Sequence, residues 1–247
     1  MSGSPSFPHL VGSPRNYMQV ADALRREIAR LDARSGDRLP SERDFALKLN
    51  ISRPSVREAL IVLELSGEIE IRVGLGIYLR QQRAQPEEEA VRAKDPAPLG
   101  YSPHEVSQIR HFLEGGIAAH AAQFITNAQL KKLNAHLEDM YQGLEHHPGS
   151  EDRQLVTADR KFHLALASVT HNRLLSHTVQ ELFDQRYSPL TGSMRRLFEN
   201  MTVWEDCVKE HQDIYDAVAG HDPLQAEAAM RRHLTHSHAR LMAVIDE

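Results

Sequence analysis

Apolar side chains recur at helical spacing in the N-terminal part of the chain. Val20, Leu24 and Ile28 would lie on one face of a first helix. Ser41 and Ser52 stand where their hydroxyls can cap a second and a third helix, each followed by further apolar residues at helical spacing. The pattern therefore predicts three consecutive helices.

After the third helix the pattern changes to alternation. Ile69 and Ile71 alternate with charged residues, and Gly74 and Gly76 precede a second short apolar run. Apolar–polar alternation is typical of strands, and the glycines favour a tight turn between them. Three helices and a β-hairpin form a winged helix-turn-helix, which we predict for residues 15–80.

The remaining chain divides into a linker and a long helical segment. Residues 81–101 contain three prolines and an acidic run, which favours a linker, and the Ser-, Pro- and Gly-rich residues 1–14 favour a mobile tail. Residues 102–247 keep a helical period, with breaks such as those at 147–149 and 220–223. We expect a mainly α fold with a C-terminal all-α bundle of six or seven helices.

Composition limits the classes of protein and of site. Apolar residues make up 41% and charged residues 26%, which is ordinary for a globular protein. No apolar run approaches the roughly 20 residues of a membrane span, and the first residues lack a signal-peptide pattern, so we expect a cytoplasmic protein with no membrane partner. Cys207 is the only cysteine, which excludes an intrachain disulfide and a thiolate zinc knuckle.

The net charge of −5 is unevenly distributed along the chain. Residues 15–80 carry 12 Lys and Arg against 10 Asp and Glu, a net charge of +2, and the remaining residues carry 17 against 24, a net charge of −7. This asymmetry would direct an anionic partner to the N-terminal part.

The predicted winged helix carries a specific motif. Leu-Pro-Ser-Glu-Arg at 39–43, Ser-Arg-Pro-Ser-Val-Arg-Glu-Ala-Leu at 52–60 and Gly-Leu-Gly-Ile-Tyr-Leu at 74–79 occur in this order. Together they resemble the winged-helix domain of GntR-family transcription regulators. The resemblance implies that four side chains contact DNA: Arg43, Ser52, Arg53 and Arg57.

The positions of these residues support the same role. Arg53 and Arg57 are one turn apart near the start of the third helix, the end that a recognition helix presents to the major groove, and each guanidinium can bind a guanine or a phosphate. Ser52 can place its hydroxyl and nearby N–H groups against a phosphate. Gly74 and Gly76 allow the wing to approach the DNA backbone closely.

The arginines also have a purely structural interpretation. A single Arg is commonly a solvated surface charge, and Arg57 can pair with Glu58 or Glu64 on its own helix. The occurrence of three arginines at the matched positions favours DNA contact.

The C-terminal half resembles the FCD domain, the helical effector-binding module of the FadR-type branch of this family. The resemblance implies a metal site made of one carboxylate and three imidazoles: Asp159, His163, His211 and His233. The first two are four residues apart and so share a helix face. This donor set suits a divalent transition metal, zinc first, with Ni, Fe or Mn as alternatives. An octahedral ion would keep open positions for a ligand.

The other histidines need no metal role, because the chain contains 15. We expect six of them at the surface: His146, His147, His171, His177, His236 and His238. Cys207 lies one turn before His211 and either joins the metal site or is a small buried apolar residue.

Two arginines are candidates for binding an effector carboxylate. Arg110 stands where the FCD domain often has an Arg that faces the ligand, and Arg186 is the second candidate. Arg110 can instead pair with Glu114 one helical turn later. The segment at 57–64 and the Phe-Asp-Gln-Arg-Tyr-Ser-Pro stretch are similar to hexuronate- and sugar-acid-responsive regulators of this branch, which implies a sugar acid as effector.

These features predict a ligand-responsive transcription regulator. It would bind a two-fold DNA operator as a homodimer, and a small carboxylate at the metal site would shift its affinity for DNA. One alternative makes the metal ion itself the effector. Another makes the ion activate water in an enzyme, with Glu210 as a base, although the sequence has no His-Glu-x-x-His motif, nucleophile elbow or phosphate-binding glycine loop.

Overall fold

The chain folds into two compact units, divided between Ala84 and Gln85. A computed structural model describes residues 17–72, 74–80, 101–146, 153–198 and 200–243. The predicted tail, residues 81–100 of the predicted linker and the predicted break at 147–149 lie outside these ranges.

The N-terminal unit contains three helices and a two-stranded antiparallel hairpin. The strands pair with Ile69 opposite Leu79, and Arg38 adds an isolated bridge to Tyr78. The elements are α1 (Tyr17–Ala29), α2 (Glu42–Leu49), α3 (Arg53–Leu65), β1 (Ile69–Arg72) and β2 (Gly76–Leu79). This order confirms the predicted winged helix.

Serine caps define where α2 and α3 begin. The Ser41 hydroxyl accepts a hydrogen bond from the Asp44 N–H, and the Asp44 carboxylate accepts one from the Ser41 N–H, which forms a capping box. Ser52 caps α3 by accepting from the Ser55 N–H. The apolar faces of the helices then meet the hairpin in one core, which includes Val20, Leu24, Phe45, Val56, Leu60, Ile69 and Ile77.

The C-terminal unit is entirely helical in the residues that the structure describes. Its seven α-helices agree with the predicted bundle of six or seven, and a short 3₁₀ turn at Gln185–Tyr187 follows the fourth of them. They are α4 (Pro103–Phe124), α5 (Asn127–His146), α6 (Arg153–Val169), α7 (Arg173–Asp184), α8 (Pro189–Phe198), α9 (Met201–Ala219) and α10 (Pro223–Ala243). None of the described helices is both long enough and apolar enough to cross a membrane.

The core of this unit brings α6, α9 and α10 together with α4 and α5. Phe162, Leu137 and Val208 are fully or almost fully buried in one apolar cluster. Several polar and charged side chains lie just as deep, and they come from α4, α6, α9 and α10. Because a buried polar group is costly unless it is paired, this concentration marks the part of the bundle where function is to be sought.

We predict that Leu137→Ala lowers the free energy of unfolding of the helical unit by about 2–5 kcal/mol, because it leaves a cavity in the core. Leu224→Ala, at an exposed position, should change it by no more than about 0.5 kcal/mol. Urea unfolding followed by the fluorescence of Trp204, the only tryptophan of the chain, measures both variants. Equal effects of the two substitutions would contradict the assigned core.

Candidate functional site

The four predicted metal-binding residues lie together inside the helical bundle. Asp159 and His163 come from α6, His211 from α9 and His233 from α10, and each is at most 1% exposed. One potential ligand atom from each lies within 4.8 Å of the others. The Nε2 atom of His211 is 3.1 Å from Oδ1 of Asp159 and 3.3 Å from Nε2 of His163. We call this group the Asp/His cluster.

Hydrogen bonds on the outer side of the cluster orient its three imidazoles. The Nδ1 atom of His163 lies 2.5 Å from a Glu114 oxygen. That of His211 lies 2.7 Å from the Cys207 carbonyl oxygen, and that of His233 lies 2.9 Å from a Glu210 oxygen. Carboxylate and carbonyl oxygens only accept hydrogen bonds, so each Nδ1 carries the proton. Each Nε2 therefore faces the centre of the cluster, and it can offer a lone pair to an ion when it carries no proton, as in metal-binding histidines.

Two buried atoms of the cluster have no hydrogen-bond partner within the described residues. They are Oδ1 of Asp159 and Nε2 of His233. An unsatisfied buried polar group costs about 1–3 kcal/mol, and a cation at the centre would satisfy both atoms at once. Three imidazoles and one carboxylate therefore fit a divalent transition metal ion.

The charges around the cluster favour ligand-competent forms of two of its members. Burial lowers the pKa of His233 to about 3, and the neighbouring His211 adds to the shift, so His233 is neutral. Burial alone would raise the pKa of Asp159, but Arg186, His163 and His211 together outweigh it and the pKa lies well below the usual range. Burial likewise opposes protonation of His211, yet Cys207 and Asp159 raise its pKa to about 9. The ionised Asp159 thus attracts positive charge to the centre.

A cavity lies beside the cluster, and its space, counted out to the opening to solvent, is about 720 Å³. No Asp or Glu is among its lining residues, which include Trp204 and Ser237. Guanidinium groups bind carboxylates through paired, charge-assisted hydrogen bonds, so the cavity favours an anionic ligand. Four arginines line it: Arg110, Arg186, Arg195 and Arg240.

Both predicted effector-binding arginines line this cavity and also contact the surroundings of the cluster. Arg186 donates to Oδ2 of Asp159 at 2.7 Å. Arg110 donates to Glu114 at 2.5 Å, so its predicted helix pair is present together with its place at the cavity. None of the four cluster residues lines the cavity itself. The arginines therefore stand between the cavity and the cluster.

The sequence did not predict the roles at the cavity of Arg195, Arg240 and Trp204. Trp204 is buried, and its indole Nε1 has no hydrogen-bond partner within the described residues. A buried N–H beside a cavity is available to an oxygen atom of a ligand. Only the presence of a single tryptophan in the chain could have drawn attention to it, and no motif marks the two arginines.

The prediction that His238 lies at the surface is wrong. It is only partly exposed and lines the cavity, because its Nε2 atom packs 3.1 Å from Nδ1 of His104 on α4. His171, His177 and His236 are exposed as expected, and the side chains of His146 and His147 lie outside the described residues.

Cys207 and Glu210 lie on the outer side of the cluster. The Cys207 sulfur is buried 3.6 Å from Nδ1 of His211, away from the Nε2 atom that faces the centre. Glu210 accepts hydrogen bonds from His233, His236 and Arg240, and it faces the Nδ1 side of His233. This position does not suit the general base that the enzyme interpretation needs.

In the winged helix, the predicted DNA-contacting residues lie at the N-termini of α2 and α3 and at the turn of the hairpin. Arg43, Ser52 and Arg53 are exposed. Gly74 and Gly76 have φ angles of 69° and 113°, in the left-handed region that favours glycine. These residues present three polar side chains and a tight turn to solvent, and their contact with DNA remains a prediction.

The prediction that Arg57 projects beside Arg53 is corrected by the structure. The Arg57 side chain is 3% exposed and donates to both carboxylate oxygens of Glu42, at 2.7 and 2.8 Å. Glu42 is itself 2% exposed and needs a buried cation. Arg53, 44% exposed, donates to the same carboxylate at 3.1 Å. Arg57 therefore fixes Glu42, which in turn holds Arg53.

Comparison with known proteins identifies the family. Residues 16–79 match the bacterial regulatory proteins of the gntR family, and residues 105–236 match the FCD domain. The chain belongs to the GntR family of transcription regulators, in its branch with a C-terminal FCD domain, and so to a family of regulators rather than of enzymes.

Three of the similar proteins are named as regulators of a bacterial operon or regulon. The Exu regulon transcriptional regulator of Escherichia coli strain K12 is 33% identical over 89% of this chain and 82% of its own. The Uxu operon transcriptional regulator of the same strain is 31% identical over 92% and 87%. Its putative L-lactate dehydrogenase operon regulatory protein is 32% identical over 90% and 85%. The solved structure of a Streptococcus agalactiae GntR is 24% identical, covering 90% of this chain and 99% of that one, with a TM-score of 0.46.

We predict that Arg57→Ala lowers the stability of the winged helix by about 3–5 kcal/mol, because it leaves the Glu42 carboxylate buried without its main cation. Arg43→Ala, at an exposed position, should change stability by no more than about 0.5 kcal/mol. Urea unfolding followed by far-UV circular dichroism compares the two. A combined Glu42→Gln and Arg57→Met variant, which removes both charges, should recover part of the loss. If Arg57→Ala unfolds like the wild type, the buried pair has no structural role.

Proposed function

We propose that this regulator binds a two-fold operator as a homodimer and that a sugar acid, such as a hexuronate or an aldonate, modulates its affinity for DNA. The observation that carries the proposal is the cavity next to the Asp/His cluster, which is lined by four arginines and by no acidic residue of the described part of the chain. A carboxylate is the group that such a cavity recognises best. The names of the Exu and Uxu relatives support a hexuronate as the first candidate.

Recognition of the effector would use both charge and hydroxyl groups. One or more of the arginines would bind the carboxylate, and the indole N–H of Trp204, which has no partner among the described residues, would donate to a ligand oxygen. A sugar acid offers both kinds of acceptor, whereas an uncharged sugar lacks the carboxylate. The putative L-lactate dehydrogenase operon relative adds short 2-hydroxy acids to the compounds worth testing.

The Asp/His cluster would hold a divalent transition metal, with zinc the first choice. Asp159, His163, His211 and His233 are its proposed ligands, oriented by the hydrogen bonds to Nδ1 described above. When bound, the ion would supply a fixed positive charge and Lewis acidity. Arg186 would keep the second oxygen of Asp159 engaged at the same time.

Operator binding would use the exposed residues of the winged helix. Arg53, oriented by Glu42, and Arg43 would contact bases or phosphates, and the Ser52 end of α3 would enter the major groove. The wing turn at Gly74 and Gly76 would approach the DNA backbone. Two such units are needed to read a two-fold site.

An exposed apolar face of α4 supports the proposed dimer. Ile109, Phe112 and Phe124 are exposed on this helix, and Phe112 is 63% exposed. Exposed large apolar side chains on one helix commonly mark a protein–protein interface. A second copy of the same helix would cover this face symmetrically.

A second candidate function is metal sensing. The four cluster residues are at most 1% exposed and none lines the cavity, so an ion there could act without touching a cavity ligand. In that case operator affinity would follow the metal concentration and would not respond to acids. Titration of operator binding with metal and with acid therefore distinguishes the two candidates.

We predict that the purified protein contains about one first-row transition metal ion per chain and that His163→Ala combined with His211→Ala abolishes binding, because two of four ligands are lost. His177→Ala, which removes an exposed imidazole from the same unit, should keep full occupancy. Elemental analysis of dialysed proteins measures the content. Full occupancy in the double variant would place the metal elsewhere.

We predict that D-glucuronate or a related acid changes operator affinity in the wild type and that Arg195→Ala weakens binding of the acid at least about tenfold, since a charge-assisted hydrogen bond is lost. Operator affinity without acid, and metal content, should stay unchanged. Fluorescence anisotropy on a DNA site selected by the protein from a random library measures the response, and Trp204 fluorescence measures the acid directly.

Two controls sharpen this test. Arg173→Ala removes an exposed arginine of the same unit and should respond to the acid as the wild type does. The uncharged parent sugar should have no effect on the wild type. If metal alone changes operator affinity and no acid does, metal sensing replaces the proposed function.

A further inference from the structure

Two short chains of hydrogen bonds connect the arginine-lined cavity to the Asp/His cluster. In the first, Arg240 donates from Nη1 and Nη2 to the two oxygens of Glu210, at 2.8 and 2.9 Å, and Glu210 accepts from Nδ1 of His233 at 2.9 Å. In the second, Arg110 donates to Glu114 and Glu114 accepts from Nδ1 of His163 at 2.5 Å. Each chain begins at a cavity arginine and ends at a proposed metal ligand.

Arg186 of the cavity contacts Asp159 directly, and these two chains add connections from the cavity to His233 and His163. The cluster residues are buried and do not line the cavity, whereas Arg240 and Arg110 do. A ligand in the cavity can therefore reach the cluster through the carboxylates of Glu210 and Glu114. Burial would raise the pKa of Glu210, but Arg240 and His233 outweigh it and lower the pKa, so this carboxylate is ionised.

The Arg240 chain is the better defined of the two. The guanidinium holds both oxygens of Glu210 in a two-point contact, which fixes the plane of the carboxylate as well as its position. That carboxylate is the group that orients the imidazole of His233. Outer groups of this kind affect metal affinity by about 10–100-fold when they are replaced.

We propose that Glu210 and Arg240 are positioning residues for the metal centre and that they couple it to the cavity. Arg240 fixes Glu210, Glu210 orients His233, and an anion that engages Arg240 changes the affinity of the cluster for its ion. The coupling is reciprocal, so the ion changes the affinity of the cavity for the anion by the same factor. This inference rests on the proposed function, because it takes the metal and the anionic ligand from there.

The experiment is a double-variant cycle on the full-length protein with zinc as the probe. Zinc affinity is measured by competition with a chromogenic chelator for the wild type, Glu210→Gln, Arg240→Gln and the combination. Glu210→Gln should weaken binding by about 10–100-fold. Arg240→Gln should weaken it by about 3–10-fold in the wild-type background and should have no further effect beside Glu210→Gln, because Arg240 acts only through Glu210.

This pattern separates positioning from simple charge repulsion. A guanidinium that acted on the ion only by its positive charge would tighten zinc binding when removed, and it would do so in both backgrounds. Arg240→Lys sharpens the comparison, since it keeps the charge and loses the planar two-point contact. Positioning predicts that Arg240→Lys weakens zinc binding as Arg240→Gln does.

Matched controls exclude a general effect of substitution. Glu205→Gln on α9 and Arg232→Gln on α10 replace exposed residues of the same two helices and should leave zinc affinity unchanged. The urea midpoint of the metal-free proteins, read from Trp204 fluorescence, must agree within error between Arg240→Gln and Arg232→Gln. A general loss of structure would instead lower it and weaken zinc binding in every background.

The outcomes distinguish this inference from the proposed function. If Arg240→Gln leaves zinc affinity unchanged, tightens it, or has the same effect in both backgrounds, the coupling chain is wrong while the metal site stands. If the wild type binds no zinc or other transition metal, the proposed site fails and the inference fails with it. The effect of D-glucuronate on zinc affinity is then measured in the wild type and in Arg240→Gln. A shift in zinc affinity in the wild type alone supports the coupling, and an equal shift in both proteins overturns it.

Discussion

The burial of the Asp159 carboxylate is the constraint on which the helical unit depends. An ionised carboxylate removed from water is costly unless cations and hydrogen-bond donors surround it. Here Arg186 holds one oxygen, while the other faces the imidazoles of His163 and His211 and has no hydrogen bond within the described residues. The bundle therefore keeps a buried carboxylate that is only half satisfied by its own side chains.

The same constraint repeats one layer further out. Glu114 and Glu210 are carboxylates that carry the outer hydrogen bonds of two imidazoles, and each is neutralised by an arginine that lines the cavity. The carboxylates around the cluster and the arginines that line the cavity therefore belong to one network of opposite charges. A cation at the centre and an anion in the cavity are the two ligands that such an arrangement of charge favours, which is why the metal and the acid are proposed together.

Much of this could be predicted from sequence because it follows from local spacing. The caps at Ser41 and Ser52, the alternation at Ile69 and Ile71 and the four-residue spacing of Asp159 and His163 each reflect a period of a helix or a strand. The family resemblance supplied the two distant histidines, and comparison with known proteins confirms the family and the fold class.

Residue spacing does not predict the direction of a side chain when several interaction partners are within its reach. Arg57 is one turn from Arg53, yet it turns inward because Glu42, fifteen residues earlier, is buried and requires a cation. Helical periodicity places both arginines near one face, but it does not contain the tertiary partner that separates an exposed guanidinium from a buried one.

Arg110 illustrates the opposite case, in which two competing interpretations describe the same side chain. The sequence left two roles open for Arg110, an ion pair with Glu114 and a position at the effector site. In the structure Arg110 pairs with Glu114 and also lines the cavity. A guanidinium has five N–H donors, so it can hold a carboxylate on its own helix and still present N–H groups to a cavity. An ion pair at helical spacing is therefore no argument against a functional role for either residue, because in this bundle the pairs are what connect the cavity to the buried cluster.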